Sequence, residues 1–125
     1  MKVGESADVT RTFSQQDLLD YTVISGHEIS TEQVPEPLIG ALFSYLLGVK
    51  LPGLGTNYLR QETRYAAVAK TGETLTARVE ITRLRPDKQL VDLATICHRG
   101  DGEIVASGRA LVYVGSLMRK TGFGI

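Results

Sequence analysis

Residues 37–47 read PLIGALFSYLL, and this stretch decides the fold. At 3.6 residues per turn, Leu38, Ile39, Ala41, Leu42, Phe43, Leu46 and Leu47 occupy nearly the whole circumference of a helix. A soluble protein tolerates such a helix only when it is buried on most sides. Pro37 suits a first helical turn, where its missing N–H has no partner to lose. Gly48 is placed to end the helix. The pattern predicts a central buried helix over Pro37–Leu47. The longer apolar run, from Leu38 to Leu51, is interrupted by Ser44, Gly48 and Lys50 and falls short of a membrane span.

On the C-terminal side the period changes. Leu51-Pro52-Gly53-Leu54-Gly55 is a turn-rich link. Asn57 to Val68 reads as a strand, followed by a turn at Thr71-Gly72. Leu75, Ala77, Val79, Ile81 and then Arg83 alternate with Thr74, Thr76, Arg78, Glu80 and Thr82, a period of two with one buried face. Arg85 to Lys88 is a turn, Leu90 to Arg99 a strand, Gly100-Asp101-Gly102 a hairpin signal and Ile104 to Val114 the last strand. On the N-terminal side, Val9 to Phe13 is a short strand. Ser14 then caps a helix, with Asp17 three residues on. That helix has Leu18, Leu19 and Tyr21 as its apolar side and ends at Ser25-Gly26. Residues 27–35 form a polar loop, with Glu28, Glu32 and Glu36 in and beside it. The expected architecture is α+β: four strands in an antiparallel meander that curls around one apolar helix.

The chain has 125 residues, 42% of them hydrophobic, which suits a single domain over 1–125 with its own core. Residues 115–125, with three glycines, are expected to be a loose tail. Fourteen basic residues balance fourteen acidic ones, without the basic excess typical of nucleic-acid or membrane binders. One cysteine, Cys97, cannot form an intrachain disulfide, and two histidines with one cysteine make no zinc constellation. Cys97 and His98 are neighbours in a strand and so face opposite ways. The polar N-terminus does not read as a signal peptide, so the expectation is a cytoplasmic protein without a metal.

Several segments together resemble the MaoC-like family, whose members include (R)-specific enoyl-CoA hydratases. They are Phe13 to Gly26, residues 41–61 (ALFSYLLGVKLPGLGTNYLRQ), Thr71-Gly72-Glu73, residues 76–82 (TARVEIT), Gly102-Glu103 and Ala106-Ser107-Gly108. The resemblance covers about nine-tenths of the chain. It implies a hot-dog fold, an antiparallel sheet wrapped around a long central helix. It also implies an acyl-CoA or other acyl thioester as substrate, with coenzyme A as part of that substrate and no further cofactor. Hot-dog domains pair their sheets, so a homodimer or higher homo-oligomer is expected.

The resemblance breaks at the chemistry. The family's hydratases carry an Asp-x-Asn-Pro-x-His segment whose Asp and His activate water. Here His27 stands in the position of that Asp, and neither the Asn-Pro nor the second His follows. A His-Gly pair normally opens the central helix; Pro35-Glu36 stands there instead. Hydration needs a base for water and a proton for the α-carbon. The catalytic candidates are therefore His27, whose unperturbed pKa suits proton transfer, and Glu36. The amides of Glu36 and Leu38, at the helix start, are candidates to hold the thioester oxygen. Tyr58, Leu59, Arg60 and Arg64 match the region that lines the family's acyl channel, and either arginine suits a coenzyme A phosphate. Ser44 is expected to be a packing residue bonded back along its helix. Three functions follow in order: an enoyl-CoA hydratase or dehydratase, an acyl-CoA thioesterase, and a non-catalytic acyl-CoA binding or structural subunit. The missing loop predicts slow hydration of short enoyl thioesters unless His27 restores it.

Overall fold

The alternation in residues 75–81 becomes the floor of the core. Leu75, Ala77, Val79 and Ile81 are fully buried on β3, Thr74–Arg85, while the residues between them face outward. The computed structural model describes residues 1–25, 32–53 and 56–115. Within them β1 is Ser6–Thr12, α1 Gln15–Ser25, α2 Glu36–Tyr45, β2 Asn57–Tyr65, β4 Leu90–Arg99 and β5 Ile104–Tyr113. The strands form one antiparallel sheet in the order β1-β3-β4-β5-β2. Val91, Leu93 and Cys97 on β4 and Ala106, Ala110 and Val112 on β5 extend the apolar face. Ile39, Leu42 and Phe43 of α2 pack onto it with Leu46 and Leu47. This is the hot-dog arrangement, one helix held in a curled sheet.

The short helix begins as its sequence dictates. The Ser14 hydroxyl accepts from the Asp17 N–H at 3.1 Å, and the Asp17 carboxylate accepts from the Ser14 N–H at 2.8 Å. That reciprocal pair holds the Asp17 carboxyl below its usual range, through its bonds to the Ser14 backbone and side chain and then the nearby Arg11. Leu18 is buried below.

The structure departs from the sequence reading in four places. First, β2 does not join the meander. It pairs with β5 at the far edge, while β3, β4 and β5 are consecutive hairpins. The chain leaves β2 after Tyr65, when the N–H groups of Ala66 and Ala67 turn to the Val105 carbonyl. It then crosses the sheet end, where the Ala69 carbonyl accepts from Val34 and the Gly72 N–H donates to Phe13. The strand therefore ends at Tyr65, short of Val68. Second, α2 does not end at a Gly48 cap. It widens into one π-helical turn over Leu46–Lys50, closed by the Leu51 N–H on the Leu46 carbonyl at 2.8 Å. Third, a bulge between Ile81 and Arg83 shifts the phase of β3, so Leu84 packs against the core and Arg83 is exposed. Fourth, β1 starts at Ser6, because its register with β3 runs from Ser6 opposite Glu80 to Thr12 opposite Thr74. The expected loose tail, from residue 116 on, and the Gly26 helix stop lie outside the described residues.

Candidate active site

The start of α2 is fixed from two sides. Pro35 precedes it in an extended conformation, and its carbonyl accepts from the Leu38 N–H at 3.0 Å. The Leu38 amide, expected to be unspent, is thus committed, because the first turn closes tightly on Pro35. Glu36 is exposed. Its carbonyl accepts from the Tyr65 hydroxyl at 3.1 Å. Tyr65 reaches it from the last position of β2, on the sheet face that carries α2. Burial first, then the Glu36 and Cys97 charges, push the Tyr65 phenol above its usual pKa.

One turn and two turns further on, Gly40 and Ser44 follow Glu36 on the side of α2 that faces β2. The Ser44 hydroxyl lies beside the Tyr58 phenol across this seam. Burial pushes the Tyr58 phenol up, and the Ser44 bond opposes that shift. Tyr58 sits opposite Val112, Gln61 opposite Ala110, Thr63 opposite Gly108 and Tyr65 opposite Ala106. These β2 side chains share the inner face, and with the Glu36, Gly40 and Ser44 edge of α2 they bound a seam between helix and edge strand.

The other sequence candidates separate. Leu38 lies on the opposite side of α2, half-buried, in an apolar groove of about 490 Å³ shared with Val9, Phe13, Leu42 and Tyr45. Leu59, 58% exposed, is the extra residue of a bulge between Tyr58 and Arg60. Arg60 and Arg64 pair with Leu111 and Ser107, and so lie on the outer face of the sheet. There Arg109 bonds Glu62 at 3.0 Å and Arg85 grips Asp92 at 2.8 and 3.0 Å. His27 lies outside the described residues. Cys97 is buried and its thiol is pushed up to about 11 by that burial; His98 faces the other way. Sequence reasoning named Tyr58 but missed Tyr65 and the approach of Ser44 to Tyr58. Nothing in residues 57–65 alternates by polarity, so only the register with β5 reveals which side chains face the helix.

A curled antiparallel sheet around one helix, with polar groups gathered where that helix starts, defines a hot-dog domain. No family model matches the chain. An (R)-specific enoyl-CoA hydratase of Rhodospirillum rubrum is 30% identical over 128 residues, 91% of this chain and 88% of that protein. The structure of the (R)-hydratase of A. caviae involved in PHA biosynthesis superposes with a TM-score of 0.84 at 29% identity, covering 91% of this chain and 97% of that one. The unliganded R-hydratase PhaJ1 of Pseudomonas aeruginosa also gives 0.84, at 27% identity over 91% and 82%. The chain belongs to the MaoC-like family of hot-dog proteins that includes the (R)-specific enoyl-CoA hydratases.

Proposed function

We propose that this protein handles acyl thioesters of coenzyme A, as an enoyl-CoA hydratase or 3-hydroxyacyl-CoA dehydratase. The observation that carries this reading is the kinship over nine-tenths of the chain with an (R)-specific enoyl-CoA hydratase, joined to the polar seam at the start of α2. In hydration a base takes a proton from water as its oxygen bonds to the β-carbon. The double-bond electrons move toward the carbonyl, charge gathers on the thioester oxygen, and a proton then goes to the α-carbon. The Glu36 N–H is the donor for that oxygen. His27 and the Glu36 carboxylate are the two candidates for proton transfer; neither restores the family's paired Asp and His, and slow hydration is expected for that reason. The acyl part follows the seam past Ser44 and Tyr58; Leu38, across the helix, and Leu59, Arg60 and Arg64, at the bulge and on the outer face, do not line it, and the two arginines are available to anionic groups on that outer face.

A second copy of the chain completes the protein in this reading. β2 is an edge strand, and Asn57 to Glu62 are exposed on both faces. Such an edge presents unpaired backbone groups, which pairing with an identical strand across a two-fold axis satisfies. Light scattering at micromolar concentration is expected to give at least twice the 13.6 kDa of one chain; a monomer mass refutes the pairing. A cytoplasmic location is supported by the single, buried, unpaired thiol.

Crotonyl-CoA and butyryl-CoA test the chemistry. The expected result is binding of both, slow loss of enoyl absorbance and no release of thiol. His27→Ala changes that slow rate little. Fast turnover lost in His27→Ala makes His27 the working base, since one well-placed base contributes roughly 10²–10⁴-fold. Fast turnover that survives it moves the role to Glu36. Released thiol overturns the reading in favour of a thioesterase. Binding without either reaction favours the non-catalytic reading, to which Pro35-Glu36 in place of the family's His-Gly pair already points.

A further inference from the structure

We infer that Tyr65 is a positioning residue, which sets the Glu36 amide to receive the thioester oxygen. This rests on the acyl-thioester reading above and adds to it a side chain on the opposite wall. The peptide between Pro35 and Glu36 has its carbonyl held by the Leu38 N–H at 3.0 Å. In a planar trans peptide the N–H points away from its carbonyl, so the Glu36 N–H is aimed out of the helix start. The next carbonyl, that of Glu36 itself, belongs to a bond with Pro37, and the Tyr65 hydroxyl donates to it at 3.1 Å. Glu36 is therefore clamped through both peptides that flank it.

The clamp also spans two elements. Tyr65 is the last residue of β2, where the chain leaves the sheet edge. Its hydroxyl lies against the next turn of α2, where a Cβ on Gly40 would stand 3.5 Å away. The ring is half-buried among the core residues, so it has little freedom to carry the hydroxyl elsewhere. Phenylalanine would fill the same space and lose only the bond to Glu36.

The test compares butyryl-CoA with its thioether analogue, in which the carbonyl is a methylene, by calorimetry on the wild type and Tyr65→Phe. The wild type is expected to prefer the thioester. Tyr65→Phe is expected to shrink that preference roughly three- to tenfold, the worth of one hydrogen bond, and to leave thioether affinity unchanged. A general loosening of the fold would weaken both ligands alike and overturns the inference. So does a preference that Tyr65→Phe leaves intact. A wild type that binds neither ligand refutes the acyl-thioester reading, and this inference with it. If Tyr65→Phe does not fold, the same comparison on Tyr65→Met, which keeps an apolar side chain of similar reach and also lacks the hydroxyl, decides the matter and is expected to show the same narrowed preference.

Discussion

Thr95→Val is expected to raise the stability of the protein. Thr95 lies on β4 with its side chain toward α2, only 2% exposed, between Val79 on β3 and Gly108 on β5. Its hydroxyl has no hydrogen-bond partner among the described residues. A strand offers no carbonyl four residues back for a threonine to borrow, and the flanking β4 backbone is committed to the sheet. A buried hydroxyl without a partner costs about 1–3 kcal/mol relative to water. Valine keeps the β-branched shape and its χ1 preference while putting a methyl where the hydroxyl stood. The expected gain is about 1–2 kcal/mol, the lower part of that range, because a neighbouring group relaxes toward any orphaned hydroxyl. For a chain of this length it amounts to a rise in Tm of about 3–10 °C. Urea unfolding followed by circular dichroism should show a higher midpoint with an unchanged slope. Thr95→Ser is the control: it keeps the hydroxyl, loses a buried methyl and should destabilise by about 1 kcal/mol. A Thr95→Val protein less stable than the wild type by 0.5 kcal/mol or more (about the error of such measurements) would refute the reasoning, since the hydroxyl would then have to be bonded.

Three further outcomes follow from the same packing. Leu42→Asp puts a carboxylate into the α2–sheet contact, where Leu42 is buried, and should cost several kcal/mol or shift the carboxyl to its neutral form; an unchanged melting temperature would contradict the burial of that helix face. Gly108→Ala drives a methyl group into the Glu62 carbonyl and the Thr63 backbone of β2. It should therefore detach the edge strand, seen as rapid hydrogen exchange of the Arg64 and Ala66 amides, which face β5 in this register, and wild-type exchange there would show that the two strands lie further apart. The Cys97 thiol, raised from 9.0 to about 11 by burial, favours the folded state below pH 9, and that contribution is lost as pH rises through 11. Stability should thus fall across pH 9–11 in the wild type and less so in Cys97→Ala, and iodoacetamide should modify the thiol only on unfolding; equal pH slopes would remove Cys97 from the account.

What the sequence states about the fold it states through apolar period. The apolar run at 38–47 reads as a core helix, and Leu75, Ala77, Val79 and Ile81 as one buried face of a strand; the strand face is fully buried, while the helix buries Ile39, Leu42, Phe43, Leu46 and Leu47 and leaves Ala41 and Tyr45 exposed. The cap at Ser14 was legible because Asp17 stands at the reciprocal position. Connectivity was not legible. A strand followed by Thr71-Gly72 and another strand reads as a hairpin, yet Gly72 reaches back to Phe13 at the end of β1. The turn residues are right for a change of direction; they carry no statement of which strand lies beside which. That choice is made by α2, which needs apolar floor on β3, β4 and β5 and leaves β2 no place but the edge.

The candidate site was less legible for a more local reason. With a period of two, Tyr58, Arg60, Glu62 and Arg64 would share one face and build one wall of a channel. The bulge at Leu59 breaks that count. Tyr58 pairs with Val112 and faces the helix, and Arg60 pairs with Leu111 and faces away, so every residue after Leu59 changes side relative to Tyr58. Gln61, Thr63 and Tyr65 thereby take the inner face, and the arginines take the outer one. One extra residue thus exchanges which side chains meet the start of α2. It brings a tyrosine hydroxyl to the Glu36 carbonyl, where an unbulged strand would have delivered an arginine. A guanidinium beside Glu36 would pair with its carboxylate and tie up the one acid at the helix start. The hydroxyl holds the backbone of Glu36 instead and leaves that carboxylate exposed at the mouth of the seam.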